Sequence, residues 1–137
     1  MISRQKLVIP TYEMDEAEKA PVFYDVRNHQ GTRGNIYPIP MTDTFKNVKT
    51  DREYDAIRLE NEFIRVTVLP QLGGRIYEGY DKKADYHFVY KNNVIKPALI
   101  GLCGAWISGG IEFNWPQHHR PTTFMPVDSW IEKGEDG

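Results

Sequence analysis

Cysteine is almost absent. Cys103 stands alone among 137 residues, which excludes an intrachain disulfide. It lies in the apolar run Ala98-Leu99-Ile100-Gly101-Leu102-Cys103, where a buried, inert thiol is expected. Long hydrophobic runs are also missing, and no stretch approaches the roughly 20 apolar residues of a membrane span. Met1 to Pro10 carries basic residues but no apolar centre of signal-peptide length. A soluble chain is expected, with no membrane partner; a cytoplasmic location is favoured and a periplasmic one stays open. No block of lysine and arginine occurs, and the formal net charge is -2, which argues against nucleic acid as the partner. The P-loop, dinucleotide-binding and nucleophile-elbow patterns are absent, because Gly109-Gly110 lacks a companion glycine and lysine. No cofactor is expected. Internal repeats, low-complexity tracts and heptads are missing too.

What is present is an ordinary globular composition, 40% hydrophobic and 26% charged, in a chain of single-domain length. The pattern points to an all-β fold of antiparallel sheets with little helix. Leu7-Val8-Ile9 reads as an edge strand closed by Pro10, and residues 11–19 offer at most one or two helical turns. Residues 22–26 read as a strand, 28–35 as a turn around Gly31 and Gly34, 36–40 as extended, and 42–54 as a polar loop. The clearest signal is Phe63-Ile64-Arg65-Val66-Thr67-Val68-Leu69. It puts Ile64, Val66 and Val68 on one face and Arg65 and Thr67 on the other, a half-buried strand. With residues 56–59, 75–80 and 86–90 it makes a four-strand meander, turning at Gly73-Gly74 and at residues 81–85. Residues 95–107 read as an irregular buried connection and 128–132 as a last strand. An acid-glycine pair, Asp136-Gly137, closes the chain with no returning strand, so a piece of a larger sheet is expected, with a frayed tail or a tail paired with another chain as alternatives, and self-association by edge pairing or face packing is expected with it.

Chemistry concentrates in residues 108–121, which hold Gly109-Gly110, Glu112, Asn114, Trp115, Gln117, His118, His119 and Arg120. Trp115 offers a flat apolar face with one donor, and Asn114, Gln117 and Arg120 offer directional hydrogen bonds, the inventory of a sugar-handling surface. Glu112 with His118 or His119 has the composition of a general acid–base pair, the chemistry that opens and closes a sugar ring. Ligand contact without chemistry and a purely structural role stay open on residue types alone. No metal is expected, because adjacent His118 and His119 on a strand would face opposite ways and a zinc site needs three or four ligands. Arg75, after Gly73-Gly74, is a candidate ligand contact, with an ion-paired or solvated strand residue as its plainer role. Trp106, Trp115 and Trp130 could each be a stacking platform for a sugar, with Trp115 the best candidate and Trp106 read as core.

The run Leu59-Glu60-Asn61-Glu62-Phe63-Ile64-Arg65-Val66-Thr67-Val68-Leu69-Pro70-Gln71-Leu72-Gly73-Gly74-Arg75-Ile76 resembles the opening of galactose-mutarotase-like domains, the aldose 1-epimerase superfamily. Gly109-Gly110-Ile111-Glu112-Phe113-Asn114-Trp115-Pro116-Gln117 resembles the glycine-glycine segment of its hexose-phosphate epimerase branch. From Val22 to Trp130 the chain resembles a mutarotase-like domain found at the front of bacterial proteins that often carry tetratricopeptide repeats. The resemblance implies a β-supersandwich, of which residues 1–137 form the N-terminal part, with a sugar site on its concave face. It implies carbohydrate binding, with epimerase or glycoside-processing activity in the longer parent and an incomplete catalytic site here. The alternative is a non-catalytic β-module for glycan or protein contact. His118 or His119 is the counterpart of a site histidine; Ser108 stands where the branch has a phosphate-binding arginine, so that role does not carry over.

Overall fold

A computed structural model describes residues 1–16, 21–23, 36–40, 42, 44–99, 104–114, 119 and 121–134, with the backbone alone at 21–23, 36–40, 121 and 122. Among these residues the fold is antiparallel β, with two short 3₁₀ turns and no α-helix. The main sheet has the order β1-β4-β5-β6-β7, formed by Ile2–Met14 (β1), Phe45–Glu60 (β4), Ile64–Leu69 (β5), Arg75–Asp81 (β6) and Tyr86–His87 (β7). Pro21–Phe23 (β2) pairs with Ile36–Pro40 (β3), and Pro97–Leu99 (β8) pairs with Ala105–Ile107 (β9).

The meander from β4 to β7 is present, and β1 lies outside it against β4. Two elements differ from expectation. Pro10 does not end β1, and residues 11–14 continue the strand. The Pro10 carbonyl accepts from the Ile95 amide, 2.9 Å away, on the side facing away from β4. The N–H that proline lacks would point the same way, so the ladder to β4 loses nothing. Residues 45–54, expected as loop, belong to the 16-residue β4. Their polar side chains do not disfavour a strand whose solvent side carries cross-strand ion pairs: Lys6 reaches Asp55 at 2.7 Å and Glu53 at 3.1 Å.

Three smaller differences follow, two from missing ladder partners and one from an added pairing. The strand expected over residues 86–90 stops at His87, where the Phe88 and Val89 amides both turn to the Gly79 carbonyl. Residues 128–132 pair with no strand among the described residues; the Val127 amide donates to the Pro70 carbonyl, and Arg4 donates to Ser129. Within residues 95–107, the two three-residue strands β8 and β9 replace an irregular connection. The readings of Cys103, of residues 24–26 and of the 28–35 turn lie outside the described residues.

The core gathers Ile9, Tyr54, Ala56, Leu69, Leu72, Tyr77, Ile95 and Ile107, with Leu7 and Phe124 packed against it. Tyr54 is fully buried, so its hydroxyl needs a partner, and it meets Thr11 Oγ1 at 2.9 Å. The alternation read in β5 is real, but its two faces are used differently from the usual rule. Thr67 and Leu69 are sealed on the inner face with Glu78, while Ile64 is exposed and Val66 and Val68 are half-buried on the other. Polar side chains can occupy an inner face when they satisfy one another, and here Arg65 and Thr67 both bond Glu78.

After β5, Pro70–Leu72 forms a 3₁₀ turn that ends at Gly73, whose φ of 74° lies in the left-handed region. A Cβ there would also stand 2.1 Å from the Thr123 carbonyl oxygen. The turn launches β6, whose first residue is Arg75.

Candidate functional site

Arg75 begins β6 only 2% exposed, so its guanidinium must be neutralised inside the protein. The partner comes from a separate segment. The backbone of Ile111 exchanges both hydrogen bonds with Ile76, at 2.9 and 3.1 Å, as an isolated antiparallel bridge on the outer edge of β6. Antiparallel register then sets Glu112 beside Arg75. The bridge needs Gly110: its φ is 71°, and a Cβ would lie 2.3 Å from the Ile76 carbonyl oxygen. The close approach that Gly110 permits is therefore made to the protein's own backbone.

Glu112 is the hub. Its Oε2 accepts from Arg75 Nη2 at 3.2 Å and from Trp106 Nε1 at 2.8 Å, and its Oε1 meets His119 Nδ1. Arg75 Nη1 also donates to the Gly109 carbonyl. The Trp106 and His119 rings lie 4.9 Å apart, tilted by 55°. Burial pulls the Arg75 guanidinium below its ordinary range, and the Glu112 carboxylate opposes that shift. The Glu112 side chain keeps 12% of its surface, while that of His119 is 45% exposed. The result is an imidazole held at Nδ1 by a nearly buried carboxylate, so proton exchange with a ligand would run through Nε2.

Of the residues singled out in the sequence, Glu112, His119 and Arg75 converge on this point. Asn114 is described as exposed. Trp115, Gln117, His118 and Arg120 lie outside the described residues. Two contributors were not taken as site residues. Trp106, expected in the core, is half-buried and donates to Glu112. Asn92 ties the neighbourhood together, donating to Ser108 Oγ at 2.6 Å and accepting from Tyr77 and Tyr90 hydroxyls at 2.8 and 2.9 Å. An indole six residues before an acid carries no sequence signal of that contact, since Gly109-Gly110 turns the chain back between them. Among the described residues no three His, Cys, Asp or Glu side chains come together, so Glu112 and His119 have no third metal ligand there.

A separate cleft of about 250 Å³ opens on the β1 side, lined by residues including Tyr12, Glu13, Arg52, Gln71 and Phe124. Neither Glu112 nor His119 lines it. Glu13, Asp15 and Arg52 line it but, among the described residues, no histidine does, and the convergence of an acid, an imidazole and an indole at Glu112 is the better basis for chemistry.

The fold has a solved counterpart in a TPR-domain containing protein from Parabacteroides distasonis ATCC 8503. The two share 24% identity and superpose with a TM-score of 0.79 over 98% of this chain and 22% of that one. That likeness is one of fold. The chain thus spans about a fifth of the solved protein's length. Residues 32–137, which include β3 to β9 and every residue of the Glu112 cluster, match a family model described as Domain of unknown function (DUF5107), and the chain belongs to that family.

Proposed function

We propose that this domain is galactose-mutarotase-like and binds a sugar or glycan at the surface around His119, as part of a longer bacterial protein with tetratricopeptide repeats. The observation that carries the reading is the use of one carboxylate to orient both a ring platform and an exposed imidazole. Trp106 and His119 are each fixed by Glu112, at Nε1 and Nδ1. Sugar recognition needs an apolar ring face beside directional polar groups, and ring opening needs a group that exchanges a proton near neutral pH. In an epimerase or glycoside-processing version of the site, His119 exchanges the proton and Glu112 holds its tautomer. Arg75 holds Glu112 in place through their hydrogen-bonded ion pair. The likeness to the Parabacteroides protein supports a repeat-containing parent.

A second reading is favoured by the same contacts. Both oxygens of Glu112 are already engaged within the chain, as they would be in a clamp that ties Trp106 and His119 to Arg75 of β6. The domain would then be a non-catalytic β-module for glycan or protein contact. Polarimetry on freshly dissolved α-glucose or α-galactose separates the two. The full-length protein should speed mutarotation, and His119→Ala should return it to the buffer rate. Equal rates for both proteins remove the epimerase version. Tryptophan fluorescence titrated with hexoses and oligosaccharides tests binding itself, and silence across the series removes the sugar reading.

A further inference from the structure

A second polar cluster lies further along β6, and the Glu112 site does not use it. Glu78 is 6% exposed, and its two oxygens are surrounded by donors. Oε2 accepts from Thr67 Oγ1 at 3.1 Å, while Oε1 faces Arg65 Nη2 at 3.0 Å, His87 Nδ1 at 3.5 Å and Lys91 Nζ at 3.8 Å. Two permanent cations and a histidine therefore surround a single carboxylate. With the histidine neutral, the cluster still carries one excess positive charge: Arg65 and Lys91 against Glu78.

The cations are held from behind. The Arg65 guanidinium carbon stands 4.6 Å from the centre of the Tyr80 ring, and Lys91 Nζ stands 5.5 Å from that of Tyr77. The Tyr80 ring packs against His87 at 5.0 Å between centroids. A hollow of about 300 Å³ opens beside them, lined by His87, Val89, Tyr90, Lys91 and Asn93. The side chains of Lys91 and His87 keep 29% and 44% of their surface. Lys91 is at the far limit of an ion pair with Glu78, so its ammonium has donors to offer the hollow. The acids near Tyr80 do not cancel this charge at the hollow. Asp81 caps the Lys83 and Ala84 amides and Asp85 accepts from the Tyr80 hydroxyl, and neither lines it.

We propose that this hollow is an oxyanion site, in which Lys91 and His87 receive a phosphate, sulfate or carboxylate group and Arg65 with Glu78 fixes the floor. A phosphate leaves most of a 300 Å³ hollow empty, so the group can be a substituent of a larger ligand. The hollow also adjoins the Glu112 site through shared backbone. The Gly110 amide donates to the Tyr90 carbonyl at 2.6 Å, and Asn92, next to Lys91, donates to Ser108. A sugar bearing an anionic group is the ligand class that would occupy both. The oxyanion site itself does not depend on the sugar reading, since a bare anion can be its probe.

Calorimetric titration of the full-length protein with inorganic phosphate, glucose 6-phosphate and glucuronate, at matched ionic strength, tests it. At least one of the three should bind saturably. Lys91→Gln, at a partly exposed position, should keep the far-ultraviolet circular dichroism spectrum and weaken that binding about tenfold, the effect of one charge-assisted hydrogen bond. His87→Gln should weaken it too. Tighter binding of the sugar-bearing anions than of phosphate, reduced by His119→Ala, assigns the ligand to both sites. Binding of all three unaffected by His119→Ala leaves the oxyanion site standing and counts against the sugar site. No saturable binding to the parent protein, or the same affinity in Lys91→Gln, overturns the proposal.

Discussion

Replacing Arg75 with methionine tests whether the Arg75–Glu112 pair holds the site together. Methionine keeps the unbranched aliphatic stem and removes the guanidinium. Two interactions vanish: the ion pair to Glu112 Oε2 at 3.2 Å and the hydrogen bond to the Gly109 carbonyl. Removing one partner of a buried pair costs about 3–5 kcal/mol, most of it from the charge left behind. Glu112 retains Trp106 and His119 and a 12% exposed side chain, so the lower end applies, about 3 kcal/mol. Glu112→Gln should cost more, because Arg75, 2% exposed, stays charged and has less access to water than Glu112. In urea denaturation, with a slope of about 2 kcal/mol per molar, Arg75→Met should lower the midpoint by about 1.5 M at unchanged slope. The double variant Arg75→Met/Glu112→Gln should recover part of the loss, because no buried charge is then left alone. A midpoint within about 0.3 M of the parent for Arg75→Met, well inside the shift worked above, would refute the reasoning. The pair would then be energetically idle and Glu112 would be placed by the Ile76–Ile111 bridge alone.

Glycine 110 should matter through that bridge: Gly110→Ala places a Cβ against the Ile76 carbonyl at a positive φ and should cost about 2 kcal/mol or more, read as the same midpoint shift together with loss of His119-dependent sugar binding. At Glu78 burial works against the charge, but the Arg65 hydrogen bond, Lys91 and Thr67 outweigh it and hold the carboxyl below its ordinary value of 4.5. A depressed folded-state value contributes stability that is present above 4.5 and lost as pH falls below it, so thermal unfolding between pH 5 and about 3 should show a steeper loss for the parent than for Glu78→Gln. Burial, with Glu78 nearby, pushes the Tyr77 phenol up to about 12, so the unfolded chain ionises first and stability should fall between about pH 10 and 12, by roughly 1.4 kcal/mol per unit. A Tyr77→Phe variant that shows the same alkaline loss would point elsewhere. Self-association is also proposed, through the sheet face where Ile2 of β1, Leu59 of β4 and Ile64 of β5 are exposed by 51%, 40% and 39%. Leu59→Glu should sediment closer to monomer than the parent chain, and a parent that is already monomeric removes the idea.

Periodicity and punctuation determined the antiparallel character. Alternation at residues 63–69, a proline and glycine turn at 70–74 and a polar turn at 81–85 are local signals, and they yield a meander because short turns permit little else. Glu112 and the His118-His119 pair stood out in the same way, as unusual side chains in a glycine-bounded stretch, but the sequence did not choose between the two histidines. Tertiary structure decided what no local pattern encodes. Residues 45–54 look like loop because their polar side chains carry no apolar alternation. They are strand because β1 supplies a continuous partner and Lys6 an ion for Glu53 and Asp55. Arg65 and Thr67 look solvent-facing, yet they share the sealed face with Glu78, because three polar groups that satisfy one another tolerate burial that each alone would not. The meeting of Arg75 with Glu112, 37 residues later, and the recruitment of Trp106 depend on the Ile76–Ile111 bridge and on Gly110. Side-chain identity is written in the chain; which carboxylate neutralises which buried cation is decided only when the sheet edge brings distant backbone into register.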